Sequence, residues 1–323
     1  MRSMLGGTLL AALLAAAGPH VMAAQAYPTK PLRLIVPFAP GGAADTSARI
    51  VTRRMPETLR QPIVIDNRGG VGGNFGAELA SQAPADGYTM LYSHVGNTIG
   101  ATLYRKLSFN LLKDFAPVSL LMTTPFVIVI HPSVPAQSLR ELIALAKSRP
   151  DELTFASSGT GGPSHMAGEL FKAAAGMKIR HIPYKGGAPA ARDVAAGRVN
   201  MYLGTVTATR PFVSTGRMRA LAFCFSRRSP LMPDLPTASE AGAPGFEAGT
   251  WFGISVPART PPAVIKGLHA EFLAALKRPE VRASLEKVAF EIVGSTPQEY
   301  DAFLRTEIAK YAKVIQEQNI RRQ

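Results

Sequence analysis

Three glycine-rich stretches hold the residues that could do chemistry: Phe38-Ala39-Pro40-Gly41-Gly42 with Asp45 just beyond, Asn67 to Gly76 (NRGGVGGNFG), and Ala156 to His165 (ASSGTGGPSH). Each follows a strand-like apolar run and precedes a helix-like one. They offer few nucleophiles or bases and much bare backbone. A helix N-terminus leaves unpaired N–H groups and a partial positive charge. Glycine lets an anion approach that backbone closely, and the hydroxyls of Ser158 and Thr160 add donors. The chemistry this supports is capture of a carboxylate without covalent change. Asp45 has two readings, ligand contact or N-cap of its own helix. His165, at a helix start, either donates to a carboxylate or caps. His94, at the end of YTMLYSH, is placed to line a cleft.

Competing chemistries fit less well. Gly159-x-Gly161-x-x-Ser164 and Gly70-x-Gly72-x-x-x-Gly76 miss the dinucleotide fingerprint by residue or spacing. The segment RHIPYKG, about twenty residues past the third loop, has no acidic residue for a ribose. There is no Gly-x4-Gly-Lys phosphate loop, no Gly-x-Ser-x-Gly elbow and no HExxH. No cofactor or metal is expected. The alternative is an exported hydrolase or isomerase assembled only in space, with Ser158 and His165 as its residues. The single Cys224, inside RALAFCF, excludes an internal disulfide and a cysteine-rich zinc site. It reads as a small buried hydrophobe.

The first 26 residues read as a secretory signal: Arg2, the apolar LGGTLLAALLAAA, then MAAQA with Ala-x-Ala cleavage patterns ending at Ala24 or Ala26. The apolar run is shorter than the ~20 residues of a membrane span. An exported, periplasmic product is expected. The formal charge is +14, of which only Arg2 lies in that segment. Such a field favours anionic partners, but the basic residues are scattered and not interleaved with aromatics, so no nucleic-acid partner is expected.

The elements that must position the loops alternate. LRLIVPF, a helix over Thr46–Arg60, PIVIDN, a helix over Phe75–Gln82 and YTMLYSH come in turn. Ala48, Val51, Met55 and Leu59 fall on one helix face. Such alternation predicts α/β units on a mostly parallel sheet. TPFVIVIHPS and FGISVPA read as central strands. Ser138-Leu-Arg-Glu141 and Thr296-Pro-Gln-Glu299 are capping boxes. Helices are expected over Pro262–Lys277, Glu280–Ala289 and Pro297–Asn319. The reading is two α/β lobes, 27–124 with 253–323 and 125–252. The chain crosses twice, near Pro125 and Phe252, which makes a hinge and a ligand cleft. The first and third loops then lie on different lobes.

Taken in order, YPTKPLRLIVPFAPGGAADTSAR, DNRGGVGGNFGAELASQAPADGYTML, HPSVPAQSLRELIALAKSRP, LTFASSGTGGPSHMAGELFK, HIPYKGGAPAARDVAAGRV and MPDLPTASEAGAPGFE resemble the Bug family, the substrate receptors of tripartite tricarboxylate transporters. The resemblance covers nearly 300 residues. It implies a periplasmic, monomeric Venus-flytrap receptor for small carboxylates that docks on a membrane permease and does no catalysis. It implies Phe38, Ala39, Gly41, Gly42 and Asp45 on the first-lobe side of the pocket. Ser158, Thr160, Gly161 and His165 would form the second-lobe side, with Gly204 and Thr205 at the end of VNMYLGT. Two departures stand out. Gly69 and Val71 replace the family's usual proline and alanine, which would loosen that wall. The segment GTVTAT has no acidic residue for a ligand ammonium, which favours a dicarboxylate or aromatic carboxylate over an amino acid.

Overall fold

The computed structural model describes residues 27–317 and 320. The expected signal segment and the last residues of the final predicted helix lie outside the described residues. In chain order the elements are β1 (Leu32–Val36), α1 (Ala43–Thr52), α2 (Pro56–Leu59), β2 (Ile63–Asn67), α3 (Asn74–Ser81), β3 (Thr89–His94), α4 (Val95–Leu103) and β4 (Phe115–Ile130). Then come α5 (Leu139–Ser148), β5 (Thr154–Ser157), α6 (Pro163–Ala175), β6 (Arg180–Pro183), α7 (Gly187–Ala195), β7 (Met201–Thr205), α8 (Val206–Val213) and β8 (Arg219–Cys224). β9 (Gly249–Pro257), α9 (Pro262–Lys277), α10 (Pro279–Glu286), β10 (Glu291–Ile292) and α11 (Pro297–Glu317) complete the described chain.

Strands run in the order β2-β1-β3-β9-β4-β7-β5-β6, with β8 and β10 also on β4. The outer pairs are parallel, as the alternation predicts: β1 with β2 and β3, β5 with β6 and β7. The middle is antiparallel. β4 pairs with β9 from Phe115 to Pro125, then with β7 and β8 from Phe126 to Ile130. One long strand is thus shared by both lobes, and Gly249 returns directly opposite Pro125.

Each lobe has a core on either face of its sheet. In the first, α1, α9 and α10 cover Leu34, Tyr92 and Phe252, while α3, α4 and α11 cover Ile35, Leu91 and Trp251. In the second, α5 and α6 cover Ile128 and Leu203, while α7 and α8 cover Val127 and Tyr202. Fully burying a side chain such as Val51 or Leu203 stabilises the fold by about 1.5–3 kcal/mol.

The first helix departs from expectation. A single helix over Thr46–Arg60 is replaced by α1 ending at Thr52 and a short α2 opening at Pro56. Proline lacks the N–H that would continue the ladder and clashes with the preceding turn. The helix also starts earlier, at Ala43, so its N-cap is Gly42 and Asp45 sits in the first turn instead. The Thr296 box forms as read: Thr296 N–H donates to Glu299 Oε2 (2.8 Å) and Glu299 N–H to Thr296 Oγ1 (3.2 Å).

Candidate functional site

β1 runs out at Val36 and the first loop folds back on itself. Asn67 Nδ2 donates to the Phe38 carbonyl (2.9 Å), and Gly41, at φ +83°, donates its N–H to Asp45 Oδ2 (3.0 Å). Arg49 donates to Asp45 Oδ1 (3.0 Å). Asp45 is buried, yet its carboxyl is held below the ordinary range: burial opposes ionisation, and the bonds from Arg49 and Gly41 outweigh it. The carboxylate therefore shapes the loop. The first-turn amides of α1, at Ala43 and Ala44, have no protein acceptor among the described residues, as expected at a helix start.

The third loop takes up its own amides. Ser158 N–H donates to Ser164 Oγ (2.7 Å), Gly159 N–H to Ser157 Oγ (3.1 Å), Gly161 N–H to His165 Nδ1 (3.1 Å) and Gly162 N–H to the Gly159 carbonyl (2.9 Å). Ser164 Oγ in turn donates to Ser158 Oγ (2.9 Å), which leaves the Ser158 hydrogen free. His165 stacks on His181 with ring centroids 4.1 Å apart. Burial keeps both rings neutral and holds the His181 pKa down at about 3. His165 thus braces the loop from behind.

Phe38, Gly42, Ala43, Ala44, Ser158, Ser164, Gly187, Thr205 and Thr250 line one cavity of ≈ 40 Å³, with Phe126, Pro163, Tyr202 and Phe252. Its walls come from both lobes. The N-terminal ends of α1, α6, α7 and α8 all meet it, and no charged side chain of the described residues lines it. About +0.5 of an elementary charge at each helix end makes it electropositive, and the hydroxyls of Ser158 and Thr205 supply directional donors. The volume suits a few waters.

A larger cavity, ≈ 280 Å³, lies on the Trp251 side of β9. Its charged groups are Glu247, Glu307 and Lys310, and Glu307 accepts from both Trp251 Nε1 (3.0 Å) and Lys310 (3.0 Å). Two carboxylates against one ammonium make it the poorer seat for an anion.

Of the residues expected in the pocket, Phe38, Gly42, Ser158 and Thr205 line the small cavity. The others stand elsewhere. Ala39 N–H donates across the cleft to the Lys185 carbonyl (3.0 Å), and the Thr160 carbonyl accepts from Tyr104 Oη (2.7 Å). A Cβ on Gly161 would meet Tyr104 Oη at 2.7 Å, so Gly161 belongs to the seam between lobes. Gly204 makes room for the Tyr202 ring. The second loop is pinned, not loosened: a Cβ on Gly72 would overlap the Thr160 carbonyl and lie 2.6 Å from Gly162 N.

His94 is fully buried, edge-on to Phe38 (4.6 Å) and below the cavity wall. Its Nδ1 accepts from Gly96 N–H (3.0 Å), its Nε2 has no partner among the described residues, and burial holds its pKa down at about 3. The lining residues that sequence reasoning missed are Ala43 and Ala44 at the start of α1, Pro163 and Ser164 at the start of α6, Gly187 of α7, Thr250, and the aromatic walls. Lys185-Gly186-Gly187 is a fourth glycine-rich strand-to-helix junction and was visible as such. Phe126, Tyr202 and Phe252 read only as core. Ser158 and His165 do not form a nucleophile–base pair, since each is bonded elsewhere. Ser157 Oγ does meet His181 Nε2 (2.5 Å), but Ser157 is buried away from the cavity. Among the described residues no group of three or more His, Cys, Asp or Glu could hold a metal.

Residues 47–320 match the sequence profile of the tripartite tricarboxylate transporter family receptor. BugT of Bordetella pertussis is 36% identical over 298 residues, 92% of this chain and 91% of that protein. An R. palustris protein solved with adipate superimposes with a TM-score of 0.87 at 35% identity, over 91% of this chain and 98% of that one. MatC from Rhodopseudomonas palustris, solved with bound malate, gives 0.86 at 31%, over 90% and 100%.

Proposed function

The chain belongs to the tripartite tricarboxylate transporter receptor family, and from that premise we propose that it captures a small carboxylate between its lobes in the periplasm and hands it to a membrane permease, without catalysis. One observation carries the reading: helix N-termini from both lobes converge on one cavity that has hydroxyl donors and no charged side chain. The moving bodies are residues 27–124 with 253–323 and residues 125–252, hinged where β4 and β9 run side by side. The amides of Ala43 and Ala44 and the hydroxyls of Ser158 and Thr205 hold the head group. Phe38, Phe126, Tyr202 and Phe252 enclose the body. With no acidic side chain in the cavity, an amino acid's ammonium has no partner, so the ligand is a carboxylate without one. Malate and adipate, held by the two R. palustris relatives, are of this kind.

The test is a calorimetric and thermal-shift panel of malate, adipate, benzoate and glutamate. At a hundredfold excess over Kd a ligand stabilises the folded state by about 2.7 kcal/mol, a rise of about 4 °C for a chain of this size. One of the first three should give it and glutamate should not. A flat response to all four, with turnover of an ester or amide, would overturn the receptor reading.

A further inference from the structure

Helix α11 turns Tyr300, Leu304, Glu307, Tyr311 and Ile315 inward. Steps of three and four make one buried stripe, and all but one of its positions carry the apolar or aromatic side chains that a core takes. The exception is a carboxylate. Glu307 is 7% exposed, and burying a charged group costs free energy that its partners must offset. Trp251 Nε1 donates to its Oε2 (3.0 Å) and Lys310 Nζ to its Oε1 (3.0 Å). An indole N–H needs only a neutral acceptor, so a glutamine would satisfy Trp251. The Lys310 side chain is 56% exposed and leans on the Tyr311 ring, so water screens its pairing with Glu307. The packing of α11 therefore gives no reason for a carboxylate at 307.

Glu307 lines the ≈ 280 Å³ cavity on the Trp251 side of β9, close to the lower end of the roughly 300–1,000 Å³ of small-molecule sites. Trp251 and Phe303 meet there edge to face, with ring centroids 5.3 Å apart and planes at 80°. They form an aromatic corner in the same wall as the carboxylate. Met166 and Leu170 of α6 add an apolar wall. With Glu247 the described lining holds two carboxylates against the one ammonium of Lys310. The space thus combines an excess of negative charge with aromatic faces, and such faces attract a cation within about 6 Å.

We propose that this cavity is a second ligand site, for a small organic ammonium ion with an apolar body. The nitrogen sits between Glu307 and the Trp251–Phe303 corner, and the body lies along Met166 and Leu170. An anion of the same shape meets two like charges there, as does the carboxylate of an amino acid. The site also spans the hinge. Its walls are α11 and the start of α4 from one lobe, α6 from the other, and the strands β4 and β9 that join them. It abuts the carboxylate cavity at Pro163 and Thr250, which line both. Distances across it belong to one setting of the lobes, the closed one in which Ala39 bonds Lys185 and Tyr104 bonds Thr160. An occupant favours that setting and, by linkage, capture of the carboxylate. The coupling rests on the receptor reading; the ammonium site does not.

Trp251 is the chain's one tryptophan, so its fluorescence reads the site directly. The native chain is titrated with phenethylammonium, hexylammonium and phenyltrimethylammonium, and with phenethyl alcohol and hydrocinnamate as neutral and anionic counterparts. At least one cation should shift the emission and show a single site by calorimetry, with both counterparts severalfold weaker or silent. Glu307→Gln keeps an acceptor for Trp251, so Tm should hardly move while the cation binds roughly tenfold to a hundredfold more weakly. Leu170→Phe, on the opposite wall, narrows the space and should weaken the cation severalfold. A saturating cation should tighten binding of the carboxylate found in the panel severalfold, and that carboxylate should tighten the cation by the same factor. Silence from all three cations overturns the inference. So does equal binding of phenethyl alcohol, or native cation affinity in Glu307→Gln or Leu170→Phe. Mutual displacement of cation and carboxylate would place both in one cavity and also overturns it, and an unchanged carboxylate affinity removes the coupling to closure. A chain that binds a cation and no carboxylate keeps this site and loses the receptor reading; the reverse result keeps the reading and loses the site.

Discussion

The first and third loops read alike, glycine-rich turns between a strand and a helix, and the structure gives them opposite duties. In the first, Gly41 is tied to Asp45 and the amides of Ala43 and Ala44 are left over at the cavity. In the third, the amides of Ser158, Gly159, Gly161 and Gly162 are all taken within the loop or by His165. The helix that follows opens on Pro163, which has no N–H at all. The helix after the first loop therefore offers the amides of Ala43 and Ala44, while in the third the loop's own amides are claimed and the cavity meets the Ser158 hydroxyl and the start of α6. A glycine-rich helix start is an anion seat only where its hydrogens remain unclaimed.

Three substitutions or conditions bear on that contrast. The largest effect is expected from Ala43→Pro. Proline is tolerated at the first helical position, and the extended Gly42 (φ −87°, ψ −179°) suits the residue before it. The change deletes one donor and little else. A hydrogen bond to a charged group is worth about 1.5–3 kcal/mol, so calorimetry should show roughly a tenfold to hundredfold loss of affinity with Tm almost unmoved. Full affinity in Ala43→Pro would break the contrast, since the first loop would then be holding nothing through its amides.

Gly161 sharpens it. If the third loop's glycines faced the anion, Gly161→Asp would hurt far more than Gly161→Asn. Because Gly161 faces Tyr104 and Leu103 across the seam, both side chains should obstruct closure about equally. Overpacking of this kind costs about 1–3 kcal/mol, a loss near tenfold. A much larger loss for Asp than for Asn would return Gly161 to the anion seat.

The smallest effect is on stability against pH. His94 under the first loop and His181 behind the third are both held neutral in the folded chain, with pKa values near 3 set mainly by burial. The unfolded values lie near 6.5. Below that, the unfolded chain binds more protons than the folded one, so stability falls as pH drops from about 6.5 towards 3. The slope from the fully buried His94 approaches ~1.4 kcal/mol per pH unit. Tm should therefore decline between pH 7 and 5, less steeply in His94→Phe. An equal slope in that variant would mean that His94 titrates normally.

Much of the frame was legible. The alternation of strands and helices, the two central strands and the Thr296 box rest on local spacing, and local hydrogen bonds honour it. Pro56 was also legible as a break in the first helix, and the Ala48–Val51–Met55–Leu59 stripe obscured it because all four residues are buried on one core despite the interruption. Asp45 was open between two roles, and its bonds to Gly41 and Arg49 put it in the loop. Gly161 and Thr160 are expected in the pocket by resemblance to the family's motif, and the structure packs both against Tyr104 of the other lobe. No local feature distinguishes a glycine that admits a ligand from one that admits a tyrosine of the other lobe.

The sequence by itself determined that helices follow strands at the glycine-rich junctions, and hence roughly where amide hydrogens and partial positive charge are produced, because a strand-to-helix junction is legible to within a few residues. Only the tertiary structure decided which hydrogens stay free. Ala39 gives its own to Lys185, Thr160 accepts from Tyr104, and Tyr202 and Phe252 close walls around the rest. Those partners lie tens to hundreds of residues away, and a donor's availability depends on every acceptor the fold brings within 3 Å of it.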